Sequence, residues 1–169
     1  MCAFVINTIG KAILFGEHAV VYGYPAIAIP ISSLKTTVTI FPTPGESQGT
    51  IIYESPALGI FERIENLPAQ HVLNEALRLF RQDYGIKKFP SFRLRIDSQI
   101  PIAAGLGSSA SISVGIIKAL AQFLDVKLSL QKINEYAFEL EKLHHGAPSG
   151  IDNTVISFEK TIFFTKGKE

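Results

Sequence analysis

The sequence predicts a mixed α+β domain: one mixed or largely antiparallel sheet with helices packed on one face. Three observations carry this. Residues Ser91 to Asp97 alternate Phe92, Leu94 and Ile96 with Arg93 and Arg95, so one face of a strand is buried and the other is wet. Residues Asn66 to Tyr84 place Val72, Leu73, Ala76, Leu77 and Phe80 at helical spacing. A glycine-rich turn then runs straight into the apolar stretch Ser109 to Leu124, which reads as a deeply buried helix.

The remaining elements follow in order. Ala3 to Ile9 reads as a strand ending in a turn near Gly10. Ile13 to Phe15 and Ala19 to Tyr22 form a strand-like apolar pattern broken by the polar corner Gly16-Glu17-His18. Ala26 to Ile31 and Thr36 to Phe41, rich in Ile, Val and Thr, read as two further strands. Pro42 to Gly49 is a loop by its prolines and glycines, and Thr50 to Tyr53 a short strand. Gly85 is placed to end the helix before it. Ser129 caps a helix running to Leu143. Pro148 to Asn153 reads as a loop, and Val155 to Phe158 with Thr161 to Thr165 as a closing hairpin.

Composition sets the class. In 169 residues, 47% are hydrophobic and 18% charged, enough to build a core in a chain of one domain's length. A net charge of +1 provides no broad basic field, which argues against nucleic acid as a partner. The single Cys2 excludes an internal disulfide and a cysteine-based zinc site, and fits a reducing compartment. Met1 to Gly10 has no basic segment and no long apolar segment, so no signal peptide is expected. Ala26 to Ile31 is too short to span a bilayer, and Ile112 to Leu124 is broken by Ser113, Gly115, Lys118 and Gln122. The expectation is a cytoplasmic protein with no membrane partner.

The chemistry concentrates at residues 101 to 110, Pro-Ile-Ala-Ala-Gly-Leu-Gly-Ser-Ser-Ala. Glycine lets the backbone reach positive φ and lets a ligand approach closely. A helix start presents unpaired N–H groups and a partial positive charge, which together favour an anion, most often a phosphate. Ser108 and Ser109 are placed to cap the helix, to bond a phosphate oxygen or to bind Mg²⁺. The Walker spacing is absent, and so is the third glycine of a dinucleotide fingerprint.

The string P-x-x-x-G-L-G-S-S-A resembles the ATP-binding motif of the GHMP kinases, the family of galactokinase, homoserine kinase, mevalonate kinase and phosphomevalonate kinase. Two further segments resemble that family in the same order. Gly10 to Gly23 reads Gly-Lys-Ala-Ile-Leu-Phe-Gly-Glu-His-Ala-Val-Val-Tyr-Gly, and Glu141 to Asn153 reads Glu-Lys-Leu-His-His-Gly-Ala-Pro-Ser-Gly-Ile-Asp-Asn. The Glu-His-Ala-Val-Val-Tyr-Gly ending separates the chain from galactokinases (Glu-His-Thr-Asp-Tyr) and from phosphomevalonate kinases (Gly-Glu-Tyr). It is similar to the mevalonate-phosphorylating branch.

That resemblance implies a fold like the second domain of ribosomal protein S5. It implies ATP and Mg²⁺ as the reaction's companions and mevalonate, phosphorylated on its primary hydroxyl, as the small-molecule substrate; the alternatives are another small-molecule kinase of the family, phosphomevalonate-type or related, and an inactive nucleotide-binding half that needs a complementary chain. It assigns the triphosphate cradle to Ala103, Ala104, Gly105, Leu106, Gly107, Ser108 and Ser109, with Ser98 contributing. It assigns Mg²⁺ to Ser109 and Glu141. Asp152 becomes the catalytic base, with Lys11 as its cationic partner beside the transferring phosphoryl. Glu17, His18 and Ser149 fall to the substrate pocket. Adjacent His144 and His145 do not share a helix face, so they make no metal pair, and His145 reads as structural.

The resemblance covers almost all of the chain, yet the chain covers only about the first half of a usual member. Residues 1 to 169 are therefore expected to be the N-terminal, ATP-binding domain, without the family's C-terminal domain. Dimerisation, or pairing with the missing domain, is the corresponding expectation.

Overall fold

The computed structural model describes residues 2–47 and 49–167; the side chains of His144 and His145, and with them the structural reading of His145, lie outside the described residues. The expected class holds: a six-stranded mixed sheet with helices against one face.

The first two strands are longer than the sequence suggests. β1 (Phe4–Phe15) runs through Gly10 without turning, and β2 (Ala26–Pro42) joins the two expected strands into one. They pair antiparallel, with a slip in register from Ile9↔Lys35 to Gly10↔Ile31. A glycine inside a strand often marks a bulge or a close backbone approach. Gly10 marks both, since a Cβ there would stand 3.3 Å from the carbonyl oxygen of Leu106. Between the strands, Ala19–Tyr22 forms a 3-10 turn rather than a strand, with Gly16 (φ 86°) and Gly23 (φ 84°) on either side.

β3 (Ile51–Ser55) and β4 (Ile60–Arg63) form a hairpin. The four mostly exposed residues of β4 carry no clear alternation, so nothing local in the sequence marks it as a strand. α1 (Val72–Tyr84) starts later than the expected Asn66, because Ile64–Asn66 forms a separate 3-10 turn and Pro68 intervenes. His71 caps α1, its Nδ1 accepting the Leu73 N–H at 3.2 Å, and Gly85 ends it at φ 65° as expected. β5 (Phe92–Ser98) runs parallel to β3 and antiparallel to β2, giving the order β1-β2-β5-β3-β4. α2 (Ser108–Phe123) and α3 (Leu130–His145) follow, and Ser129 caps α3 by accepting the Lys132 N–H at 3.1 Å.

The closing hairpin is overturned. Residues 151 to 158 form α4 (Ile151–Phe158), which takes in part of the expected loop, and β6 (Ile162–Phe164) pairs instead with Ala26–Ala28 of β2. A short β-branched run satisfies either period. Here Gly150, at φ 90°, starts a helix that buries Ile151, Val155 and Ile156.

The inward residues Val38, Ile40, Phe92, Leu94 and Ile96 meet the buried faces of α1, α2 and α3 in one core. α2 lies so close to β2 that a Cβ on Gly115 would come within 2.6 Å of Val38 Cγ2. The hydroxyl of Thr8 on β1 sits 2.9 Å from the Ser111 carbonyl and 2.8 Å from its Oγ, which sets the depth of α2's first turns. Elsewhere the Tyr136 hydroxyl of α3 donates to Asp83 at the end of α1 at 2.6 Å, and Lys132 pairs with the same carboxylate at 2.9 Å. The tyrosine hydroxyl, and then the lysine, hold the Asp83 carboxyl below its ordinary range.

Gly115→Ala will destabilise the chain in chemical denaturation. Over-packing against a stiff, buried valine costs about 1–3 kcal/mol, more than the up to about 1 kcal/mol that alanine gains in a helix. Tyr136→Phe will lower the melting temperature by several degrees at neutral pH. Because the native Asp83 carboxyl is depressed, the interaction is fully present above the ordinary aspartate value and is lost as pH falls through the lower native one. The gap between variant and parent should therefore narrow below about pH 4.

Candidate active site

Four segments converge at one end of the sheet: the middle of β1, the loop from Ser98 to Gly107, the start of α2 and the start of α4. The loop lies across β1, where the Lys11 N–H donates to the Leu106 carbonyl at 3.0 Å. Gly107 then begins α2 at φ 74°, with no side-chain cap. The expected capping role of Ser108 or Ser109 is thus corrected: the glycine's backbone starts the helix. Two reasons demand glycine here. Its φ is left-handed, and a Cβ would sit 2.8 Å from Lys11 Cγ and 3.1 Å from Ile156 Cδ1. Gly105 (φ 70°) and Ala103 (φ 58°) bend the loop the same way, and residues 101 to 105, including Ala104, face solvent. A helix start that no side chain caps, fronted by a solvent-facing glycine loop, suits an anionic ligand.

Beneath the loop the Lys11 ammonium meets Asp152 at 2.9 Å. Only 5% of the lysine side chain is exposed, against 34% for the aspartate. The cation is enclosed while one side of the carboxylate stays open to an incoming group. Asp152 stands in the first turn of α4, and Ser149 helps shape that turn, its Oγ accepting the Ile151 N–H at 3.3 Å.

The Asn153 side chain, also buried, ties α4 to α3: its amide donates to Asn134 Oδ1 at 2.6 Å and to the Asn134 carbonyl at 3.3 Å. Asn134 in turn donates to Thr154 Oγ1 at 3.3 Å. Sequence reasoning missed this clamp. Its only signal was an asparagine directly after a candidate base.

The second charged feature is Glu141, 2% exposed. Its Oε2 accepts from Ser109 at 2.8 Å and its Oε1 from Ser113 at 2.9 Å. Glu141 and Ser109 therefore meet directly. One carboxylate and one hydroxyl beside a phosphate-shaped loop suit a hard cation such as Mg²⁺, which takes oxygen donors and fills its shell with substrate oxygens and water. Glu135 and Glu139, its neighbours on α3, bond instead to Lys132 and Lys142. Among the described residues there is no cluster of three or more His, Cys, Asp or Glu arranged to hold a metal unaided.

The other expected residues are spread around this centre. The Glu17 carboxylate lies 3.7 Å from where a Cβ on Gly105 would be, so the Gly16-Glu17-His18 corner borders the loop. His18 is exposed and opens the 3-10 turn with no side-chain bond to it. The Ser98 hydroxyl engages Thr36 Oγ1 at 2.8 Å and accepts the Ile100 N–H at 3.2 Å, which anchors the loop where it leaves β5.

Comparison with known proteins matches residues 71–160 to the family described as the GHMP kinases N terminal domain. The chain belongs to the GHMP kinase family. It is 36% identical to a mevalonate kinase of Pyrococcus furiosus over 94% of its length and 50% of the relative's. It is 32% identical to one of Dictyostelium discoideum, over 95% and 53%. Among solved structures, the Methanococcus jannaschii mevalonate kinase superposes with a TM-score of 0.87 at 32% identity, over 99% of this chain and 55% of that one. The chain thus spans about half the length of the curated relatives it matches.

Gly107→Ala will destabilise the chain by about 1–2 kcal/mol through the left-handed backbone alone. It will also displace Lys11 from Asp152, visible in a crystal structure of the variant as a lengthened Nζ–Oδ1 contact.

Proposed function

We propose that this chain is the ATP-binding half of an enzyme that transfers the γ-phosphoryl group of ATP to the primary hydroxyl of mevalonate, giving 5-phosphomevalonate. The observation that carries the proposal is the enclosed Lys11–Asp152 pair, with an open carboxylate, under a glycine loop that starts α2. The likeness to mevalonate kinases along nearly the whole chain supports the choice of substrate.

In this reading the loop from Ala103 to Ser109 receives the triphosphate on its backbone N–H groups and the N-terminus of α2. Ser109 and Glu141 would hold Mg²⁺, which neutralises charge on the phosphates when bound. Ser113 keeps the other Glu141 oxygen in place. Asp152 accepts the proton of the mevalonate hydroxyl as its oxygen forms a bond to the γ-phosphorus. The bond from that phosphorus to the ADP oxygen breaks. Lys11 stabilises the charge on the transferring group. Glu17 and His18 orient mevalonate from the corner beside Gly105, and Ser149 supports the turn that aims Asp152.

Residues 1–169 serve here as the family's N-terminal domain, completed by a complement equivalent to the other half of the relatives, or by a second copy. The setting we infer is the cytoplasm. Cys2 is free and exposed, and no helix among the described residues is long and apolar enough to cross a membrane.

The test is mevalonate-dependent ADP release from Mg²⁺-ATP, by the chain alone and joined to the C-terminal half of a relative. Asp152→Asn should reduce turnover at least about a hundredfold while far-UV circular dichroism stays close to the parent's; the melting temperature falls, because the enclosed Lys11 ammonium loses its counter-charge. Near-normal turnover in that variant would remove Asp152 as the base.

A further inference from the structure

A cavity of about 340 Å³ opens on the far side of β5 from the candidate active site, between β3, α1 and the loop after Gly85. Buried Ile51, Leu77 and Phe89 give it an apolar floor, beside which Gly49 and the polar Asn74 complete the lining. Its rim carries three cations, Arg81, Lys87 and Lys88, against a single acid, Glu65.

The charge pattern sets this cavity apart. Seven of the other cations among the described residues are matched: Lys11 with Asp152, Arg78 with Glu75 one turn earlier on α1, Arg93 and Arg95 with Glu54, Lys118 with Glu159, Lys132 with Asp83, and Lys142 with Glu139, while Lys35, Arg63, Lys127, Lys160 and Lys166 are unpaired but do not line this cavity. Arg81, Lys87 and Lys88 have no ion pair among the described residues. The Arg81 guanidinium rests over the Phe89 ring, 5.5 Å from its centroid, so it is held at the rim instead of sweeping through solvent. Like charges gathered around one concavity repel, and a bound anion relieves that repulsion. Arginine supplies a planar fork and the lysines point charges, a combination suited to a dianion. The apolar floor suits a non-polar body, and the volume is that of a small-ligand site.

We propose that this cavity binds a small molecule with a dianionic head, a phosphate monoester or a dicarboxylate, on an apolar body. The head sits among Arg81, Lys87 and Lys88, and the body lies against Leu77 and Phe89. The inference is independent of the phosphoryl-transfer reading, since none of these residues belongs to the Lys11–Asp152 centre.

The experiment is residue-resolved NMR titration of the chain with phenyl phosphate and with phthalate. Benzyl alcohol and inorganic phosphate supply body and head separately. The expected result is saturable shifts at Leu77, Arg81 and Phe89 with at least one dianion, which then identifies the head. The separate pieces should bind about tenfold or more weaker. Arg81→Gln with Lys88→Gln should weaken binding at least about tenfold, the equivalent of one lost charge-assisted contact. Both residues are exposed, so the fold should survive, and unchanged spectra elsewhere would verify this. Shifts confined to residues 103–109, no saturation at millimolar probe, or equal affinity in the double variant would overturn the proposal. The first of these would leave the active-site reading intact.

Discussion

Lys11 carries a positive charge into a place almost closed to water. A buried ammonium without a partner is costly enough that a fold must either neutralise it or expose it. This fold does the former by bringing α4 across the end of β1, so that Asp152 arrives at 2.9 Å. Much of the local architecture serves that meeting. Gly107 has no side chain because the stem of Lys11 runs where a Cβ would be. Gly10 has none because Leu106 lies against it. The Asn153–Asn134 clamp fixes α4 to α3, and so fixes the height at which the carboxylate meets the ammonium. Breaking the pair from either side leaves a charge stranded, so the centre is also a constraint on stability.

A second arrangement of the same kind surrounds Glu141. A carboxylate that is 2% exposed needs donors on both oxygens, and the hydroxyls of Ser109 and Ser113, one turn apart on α2, supply them. The two sites therefore share α2. Its first residue ends the glycine loop that covers Lys11, and its next turn holds Glu141. The depth of α2 on the sheet, set by Gly115 against Val38 and by Thr8 against Ser111, positions both together.

Legibility in the sequence followed the strength of local signals. The alternation of Phe92, Leu94 and Ile96, the helical spacing from Val72 to Phe80, the cap at Ser129 and the glycine loop all express backbone rules within a few residues, and each matched the structure. Elements decided by distant contacts did not. Val155 and Ile156 favour a strand by composition, yet α3 and the sheet bury them as a helix. Gly10 looks like a turn until the loop crossing it comes into view. Asn153 and Asn134 lie in different helices, and nothing local links them. Lys11 and Asp152 were associated only through a motif resemblance, since burial and pairing are properties of the assembled fold.

The strands β1 and β2 adjoin in sequence and can zip early, but the Lys11–Asp152 contact joins residues near opposite ends of the chain. Contacts of such sequence separation carry a loop-closure cost that local pairing avoids, and this one also depends on where α2 and α3 hold α4. The charged centre therefore depends on the long-range assembly of the fold and not on any local segment. Lys11 and Asp152 meet only where α4 is docked against β1. A probe at Asp152 would report the docking of α4, where a probe at Phe92 would report the packing of the main core.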